Sequence, residues 1–286
     1  MTIIWTGLAF GSLYTLIAVV FNIGMAQSAV FNFAAPQTVM IGAFISYELG
    51  ASRGVPAVFV LATCILVGAL IGALVEVVAI RPLSVGGHGA LVTTVGAAFV
   101  IEGAAYVIWG EDIRRQDFLA GERTFTLLGG RVATVDIVAI VAAVLVVTAM
   151  HLVTHRTRWG LYGRAATSDR EVAMLRGINV PAGKTSAFAV AGALGCCVGV
   201  LAGPMVYVGF SLGTVLIIYA FVALAVGGIG SYWGCLAGGL SVGLFQALSD
   251  RYLGGTYTLS AIFLVLLATL LVRPTGLLGV QKLRMV

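Results

Sequence analysis

The sequence predicts an all-α integral membrane protein, a polytopic bundle of about eight or nine transmembrane helices with broken or re-entrant segments. Three observations predict this class. The 286 residues are 60% hydrophobic and only 9% charged, whereas a soluble domain carries roughly 25% charged residues. Apolar runs long enough to cross a bilayer recur along the whole chain. The 38 glycines fit a membrane bundle, in which small residues let helices approach closely.

Candidate spans fill most of the chain, which we interpret as one transmembrane domain over residues 1–286. The spans are 2–23, 30–49, 58–80, 89–109, 134–152, 186–206, 214–229, 233–250 and 257–273. Asn32, Pro36 and Gln37 interrupt the second span, and the seventh ends in the run Gly227–Gly230. Backbone freed from a helix is tolerated in a membrane only when it is buried in protein or lines a wet cavity. The two interruptions are therefore tight reversals between packed helices, the lining of a translocation path, or both.

Basic residues predict the orientation, because Lys and Arg favour the cytoplasmic side. The loop at 153–185 holds Arg156, Arg158, Arg164, Arg170, Arg176 and Lys184, and the C-terminal tail holds Arg273, Lys282 and Arg284. Both segments are expected in the cytoplasm, which places residues 110–133 and the N-terminus outside. One miscounted span would move the N-terminus inside.

Two acidic residues lie within apolar spans, where a charge is costly and is a functional candidate. Glu76 precedes Arg81 near the cytoplasmic end of its span, which favours a structural ion pair or a carboxylate that reaches the interface. Glu102 is deeper and has no partner visible in the sequence. It either lines a path or is a protonated or hydrogen-bonded packing residue.

The segment Gly183-Lys184-Thr185 has the residues that end a nucleotide-binding P-loop, but its surroundings do not fit. Gly177 and Gly183 have five residues between them, one more than the motif has. Pro181 removes a backbone N–H from the loop, and charged, helix-prone residues stand where a buried strand is required. ATP binding by this chain is not expected.

The same loop carries the signal for a short helix outside the membrane. Ser168 and Glu171 have the spacing of a capping box, and Gly177 is the expected C-terminal stop. A helix of about two turns is marginal alone in water, so it needs a surface to pack against. That surface is the membrane, its own bundle or a socket on a partner.

Enzymatic and metal-dependent functions find no support in the residues. Cys64, Cys196, Cys197 and Cys235 lie in apolar runs, and His88, His151 and His155 form no metal pattern with them. No nucleophile–base pair stands at membrane depth. The net charge of +5 fits an excess of basic residues in cytoplasmic loops and not nucleic-acid binding. No metal and no cofactor are expected.

Short motifs in a fixed order run through nearly the whole chain. They are Gly7-Leu8-Ala9-Phe10-Gly11-Ser12-Leu13-Tyr14, Asn32-Phe33-Ala34, Glu76 with Arg81-Pro82-Leu83, Leu91-Val92-Thr93-Thr94-Val95-Gly96, Gly163-Arg164-Ala165, Ala173 with Leu175 and Gly177-Ile178-Asn179-Val180, Phe188-Ala189 to Gly203, Gly227–Ser231, and Arg273–Gly279. Each is weak alone. Together they resemble the permease subunits of the branched-chain amino acid class of ABC importers.

The resemblance implies that the short helix is a coupling helix, which docks into a groove on a cytoplasmic ATPase. The residues expected to couple are Arg164, Ala165, Ser168, Asp169, Glu171, Ala173, Leu175 and Gly177. Those expected along the translocation path are Gly11, Ser12, Tyr14, Asn32, Phe33, Thr93, Thr94, Glu102, Gly228 and Gly230.

The resemblance also implies the partners and the location. Family members work as two permease subunits, often different chains, with two ABC ATPases and an extracytoplasmic substrate-binding protein in the bacterial cytoplasmic (inner) membrane. The chain is then a transport subunit and not an enzyme, since the ATPases hydrolyse ATP.

The sequence is compatible with several substrates. The family usually continues Asn-Phe-Ala with His-Gly, where this chain has Ala35 and Pro36. A branched-chain amino acid or a related small polar or amphipathic solute is expected, with urea, an amide or an aromatic acid as the alternative. An ATPase-independent secondary transporter or channel is the competing function, although the short loop helix has no role in it.

Overall fold

The computed structural model describes residues 2–82, 88–116, 124–127, 130–273 and 275–279. Most of these residues are helical. The helices are α1 (Thr2–Ser28), α2 (Ala35–Ile45), α3 (Ala57–Val75), α4 (His88–Trp109), α5 (Thr134–Arg156), α6 (Arg158–Ser168), α7 (Arg170–Leu175), α8 (Val180–Met205), α9 (Leu212–Gly227), α10 (Tyr232–Tyr252) and α11 (Gly255–Val272). Segments of π-helix extend α2 over Ser46–Ser52 and α3 over Glu76–Ile80. A short antiparallel hairpin pairs β1 (Thr124–Leu127) with β2 (Gly130–Ala133).

Every candidate span coincides with one of these helices, and the all-α membrane class is confirmed. Within the described residues, the segments long and apolar enough to cross a membrane are Thr2–Ser28, Ala57–Ile80, Gly89–Trp109, Thr134–Arg156, Val180–Met205 and Gly255–Val272. By contrast, α2 has 11 residues and α9 has 16. The spans that the sequence marks as interrupted or short are therefore the short helices.

The chain divides into two compact units. One comprises residues 1–22, 123–151 and 218–286, and the other comprises residues 23–122 and 152–217. In the first unit, α1 packs on α10 through glycines, so that a Cβ on Gly11 would lie 2.8 Å from the carbonyl oxygen of Gly239. In the second unit, α8 packs on α2 and α3 in the same manner. A Cβ on Gly42 would lie 1.9 Å from the carbonyl oxygen of Cys196, and one on Gly72 would lie 2.0 Å from that of Phe188.

Both predicted interruptions are present, but Pro36 and Gln37, which were expected within the first, lie in the first turn of α2. Between α1 and α2 the chain leaves the helix over residues 29–34. There the Asn32 side-chain oxygen accepts a hydrogen bond from the backbone N–H of Ala34 at 3.0 Å. Between α9 and α10, Gly228 and Gly230 have φ values of +104° and +90°, a region that residues with a side chain rarely adopt. The Ser231 hydroxyl then caps α10 by accepting from the N–H of Gly234 at 3.0 Å.

Two boundaries of the loop differ from the prediction. The span expected at 186–206 begins earlier, at Val180. The Asn179 side chain caps that helix by accepting from the N–H of Ala182 at 3.1 Å, and Pro181 occupies the first turn, where a missing N–H costs nothing. The loop also contains a helix that the sequence analysis did not predict, α6, which begins after Thr157.

Candidate functional site

The short helix of the loop is present as α7, but its N-terminal cap is not the predicted one. Ser168 is the last residue of α6, so it does not cap α7. Asp169 does, because its carboxylate accepts from the backbone N–H groups of Glu171 and Val172, each at 3.0 Å. The capping-box prediction for Ser168 and Glu171 is therefore wrong: two helices meet at Asp169, and the cap lies one residue later.

The C-terminal end of α7 is confirmed at Gly177, which has a φ of +79°. The N–H of Gly177 donates to the carbonyl of Met174 at 2.9 Å, and the N–H of Ile178 donates to that of Ala173 at 3.1 Å. This pair of bonds is the Schellman motif, which satisfies the last carbonyls of a helix. A helix of six residues is thus fixed at both ends.

The side chains of α7 point mostly away from the protein. Ala173 is buried, with 2% of its surface exposed, whereas Leu175 is 86% exposed. Val172 and Met174 are each nearly half exposed. The helix thus rests on one small residue and exposes three larger apolar side chains.

The neighbouring helix α6 is anchored to other residues of the second unit. A Cβ on Gly160 would lie 1.9 Å from the carbonyl oxygen of Thr154, and the Arg164 guanidinium donates to that same oxygen at 2.5 Å. The Gln27 amide donates to the carbonyl of Trp159 at 3.2 Å. The Ala165 carbonyl accepts from the N–H of Asp169 at 3.1 Å. Arg164 and Ala165 therefore stabilise the loop through hydrogen bonds to other residues of this chain.

A cavity of about 480 Å³ opens beside α7. Its walls include Trp159, Tyr162, Arg176, Ile178 and Asn179. Arg176 and Ile178 follow α7 directly in the chain, so part of the cavity wall is formed by the turn that ends this helix.

The P-loop-like segment lies in the first turns of α8. It follows a helix and a turn, and not a strand. The Thr185 hydroxyl donates to the Glu76 carboxylate at 2.7 Å and accepts from Arg81 at 2.7 Å. Glu76 also pairs with Arg81 at 3.1 Å, so the predicted structural ion pair is confirmed. The Glu76 side chain is buried, with 2% of its surface exposed.

In the first unit, the residues expected along the path make contacts within and between helices. Ser12 is buried and donates to the carbonyl of Leu8 at 2.7 Å. The Tyr14 hydroxyl donates to the Gln246 side chain at 2.5 Å, and its ring stacks on Tyr219 with centroids 5.0 Å apart. The Asn22 side chain accepts from the N–H of Gly230 at 2.9 Å, which orders the turn that also contains Gly228. Their place on a path stays a prediction.

In the second unit, several predicted residues meet around the break after α1. The Phe31 and Phe33 rings lie 5.0 Å apart. The Thr94 hydroxyl bonds the carbonyl of Phe31 at 3.4 Å, whereas Thr93 bonds the carbonyl of Gly89 in its own helix at 3.2 Å. Asn32 thus bonds the backbone of the break, and Thr94 lies within reach of it while also bonding the carbonyl of Leu91 at 3.0 Å.

Glu102 has neutral partners that the sequence analysis did not assign to it. Its Oε2 accepts from the Thr214 hydroxyl at 2.6 Å and lies 3.5 Å from the Gln37 amide nitrogen. The Gln37 amide also donates to Thr214 at 3.1 Å. Two signals were available in the sequence: Gln37 lies in the interrupted second span, and Thr214 opens an otherwise apolar run.

The chain matches a known family of transport proteins over nearly its whole length. Residues 3–272 match the family described as the permease component of branched-chain amino acid transport systems. The chain belongs to this family. It is therefore a permease subunit of an ABC-type importer and a multi-pass protein of the bacterial inner membrane.

Curated relatives extend over almost the whole permease. The high-affinity branched-chain amino acid permease protein LivH of Escherichia coli (strain K12) is 29% identical over 293 residues, covering 96% of this chain and 94% of LivH. BraD of Pseudomonas aeruginosa is 32% identical over 296 residues with the same coverage. The solved complex of PsaBC from Streptococcus pneumoniae with a Fab has a TM-score of 0.50 at 14% identity, covering 96% of this chain and 91% of that chain. That likeness concerns the fold alone.

Proposed function

We propose that this permease pairs with a second, different permease subunit and imports a branched-chain amino acid or a related small amphipathic solute. Two cytoplasmic ATPases supply the energy, and an extracytoplasmic binding protein delivers the solute. In this proposal α7 is the coupling helix. The single observation that carries it is the geometry of α7, a six-residue helix that is capped at both ends and directs Leu175 away from the protein.

The contacts of α7 suit a docking element. Isolated helices this short are marginal, yet the Asp169 cap and the Gly177 turn hold this one in shape before any partner binds. Preorganisation lowers the entropy cost of association. Exposed apolar side chains such as Leu175 then gain free energy when an ATPase groove buries them.

The connection from α7 to α8 offers a mechanism for coupling. Only residues 176–179 separate the two helices, and the Asn179 cap makes the start of α8 rigid. Because α8 meets α2 and α3 at backbone distance, displacement of α7 by the closing ATPases would shift these packed helices together. Such a shift is the motion that alternating access needs.

The substrate class follows from the relatives. LivH and BraD are named as high-affinity branched-chain amino acid permeases, which favours such a substrate here. The departure at Ala35 and Pro36 alters the first turn of α2, where Pro36 lies at the helix start. The transport test therefore also includes urea, an amide and an aromatic acid as candidate solutes.

The test is reconstitution. We expect the chain to co-purify with a second permease and an ATPase, and to import the ligand of its binding protein into proteoliposomes only when ATP is supplied to the ATPase. Uptake by this chain without any ATPase would contradict the proposal and favour a secondary transporter or channel. Screening solutes against the binding protein identifies the substrate.

A further inference from the structure

We propose that Glu102 is the recognition site for a positively charged amino group on the transported solute. The solute is then a zwitterionic amino acid, and not urea, a neutral amide or an aromatic acid without an amine. This inference rests on the proposed function and assigns a substrate class to its translocation path.

Glu102 lies within a membrane-spanning helix. It is seven residues from Trp109, the end of α4, which corresponds to about 10 Å along the axis. A carboxylate inside a membrane is costly and faces a bundle interior or a wet cavity, not lipid. Its side chain is partly accessible in the isolated chain, so a solute can approach it.

The neighbours of Glu102 hold its carboxylate without neutralising it. Its Oε2 is bound by Thr214 at 2.6 Å and by Gln37 at 3.5 Å, and both donors are neutral. Gln37 itself is fully buried. It is confined by the bare backbone of Gly213, where a Cβ would lie 2.2 Å from the Gln37 side-chain oxygen. The cluster is thus a rigid support for one negative group.

A comparison with Glu76 shows what Glu102 lacks. Both carboxylates accept a hydrogen bond from a threonine hydroxyl, Thr185 in one case at 2.7 Å and Thr214 in the other at 2.6 Å. Glu76 also has Arg81 at 3.1 Å. Among the described residues, Glu102 has no cationic partner, and no hydrogen bond reaches its Oε1. A solute ammonium group would supply both while it passes.

The surroundings of Glu102 fit the apolar part of such a solute. Phe99 and Tyr106 lie about one turn before and after Glu102 on the same face of α4, and they are 66% and 47% exposed. The Tyr106 ring meets the Phe210 ring edge-on at 5.3 Å. Aromatic rings bind apolar groups and attract cations to their faces. A carboxylate bordered by such side chains is complementary to an amphipathic ammonium compound.

The test uses the complete importer with its loaded binding protein in proteoliposomes. In Glu102→Gln we expect the maximal rate of uptake to fall about tenfold or more, because a charge-assisted bond is lost. The half-saturating ligand concentration should not change, since the binding protein sets it. Complex yield and ATPase activity should also stay as in the wild type. Glu102→Asp should recover part of the rate.

Glu48→Gln is the matched control. It removes a surface carboxylate that is already paired with Arg53 at 2.9 Å, and it should leave uptake unchanged. Thr214→Val is the second variant. It keeps the side-chain shape but removes the donor to Glu102, and it should lower uptake a few-fold without loss of assembly.

Several outcomes would overturn the inference. Glutamine is isosteric with an uncharged glutamic acid, so wild-type uptake by Glu102→Gln would show that Glu102 is a packing residue. Unchanged uptake by Thr214→Val would do the same if Glu102→Gln does not assemble. A wild-type importer that carries a solute without an amino group would also refute it. Absence of ATP-dependent uptake in the wild type is a different result, which refutes the proposed function itself.

Discussion

Two neighbouring regions, the packing of α8 on α2 and α3 and the short helix α7 before α8, differ in how their residues are used. Where α8 meets α2 and α3, glycines bring backbones together, and a Cβ on Gly72 would lie 2.0 Å from the carbonyl oxygen of Phe188. At α7, which precedes α8, only Ala173 is buried and Leu175 is 86% exposed. The glycines of the packed region have no room for a side chain, whereas most side chains of α7 are exposed. We conclude that the first region maintains the fold, and we propose that the second serves a partner.

The largest effect is expected from a side chain placed in the packed region. In Gly72→Leu the added atoms would overlap the α8 backbone, and overpacking costs about 1–3 kcal/mol or more where the backbone cannot move. We expect loss of folded protein in detergent, measured by size-exclusion chromatography and thermal unfolding.

The matched control is Gly96→Leu in α4. A Cβ on Gly96 would meet nothing within 4 Å, so the same substitution should leave the isolated chain folded. Equal behaviour of the two variants would show that the close approach of α3 and α8 is not what maintains the fold.

The next effect concerns the break before α2, which lies in the same unit. In Asn32→Leu the backbone N–H of Ala34 loses its 3.0 Å partner, and an unsatisfied buried donor costs about 1–3 kcal/mol. We expect uptake to fall about tenfold while the ATPase still binds. Asn32→Asp retains the accepting oxygen and should retain most of the uptake; full uptake by Asn32→Leu would refute the role of the break.

A smaller effect is expected at the cap of α7. Asp169→Ala removes the acceptor for Glu171 and Val172, and loss of such a cap costs about 1 kcal/mol. Affinity for the ATPase should fall about fivefold, whereas Asp169→Asn should behave like the wild type. If both variants bind the ATPase equally well, the preformed shape of α7 is irrelevant to docking.

The smallest effect is expected at Glu171. Its side chain does not cap the helix, so Glu171→Gln should match the wild type in both ATPase binding and uptake. Glu171→Arg reverses an exposed charge and tests only the interface, where an exposed ion pair is worth about 0–1 kcal/mol. A severe loss with Glu171→Gln would mean that the carboxylate has a partner that this account does not include.

Most of the fold could be predicted from composition and apolar runs, because lipid demands long apolar helices. Boundaries set by single side chains could not. The spacing of Ser168 and Glu171 predicts a cap at Ser168, but this residue ends α6, and Asp169 caps α7 instead. The sequence also predicts that the following span starts six residues after Val180, since polar residues around Pro181 suggest a loop.

The candidate site was predictable in a similar, uneven way. The helix end at Gly177 and the Glu76–Arg81 ion pair depend on residues close together in the chain, so they could be predicted from the sequence. The partners of Glu102 do not, because Gln37 and Thr214 lie 65 and 112 residues away along the chain. Only the folding of α2, α4 and α9 brings them together.

The most direct test of the coupling role of α7 is the capture of the ATPase by this chain with Leu175→Arg. Leu175 is exposed, so the variant chain should fold and assemble with the second permease in normal yield. The account predicts that it retains little ATPase and loses ATP-dependent uptake, whereas Leu175→Met retains both. A Leu175→Arg complex that holds its ATPase and transports at the wild-type rate would contradict the assignment of α7 as the coupling helix.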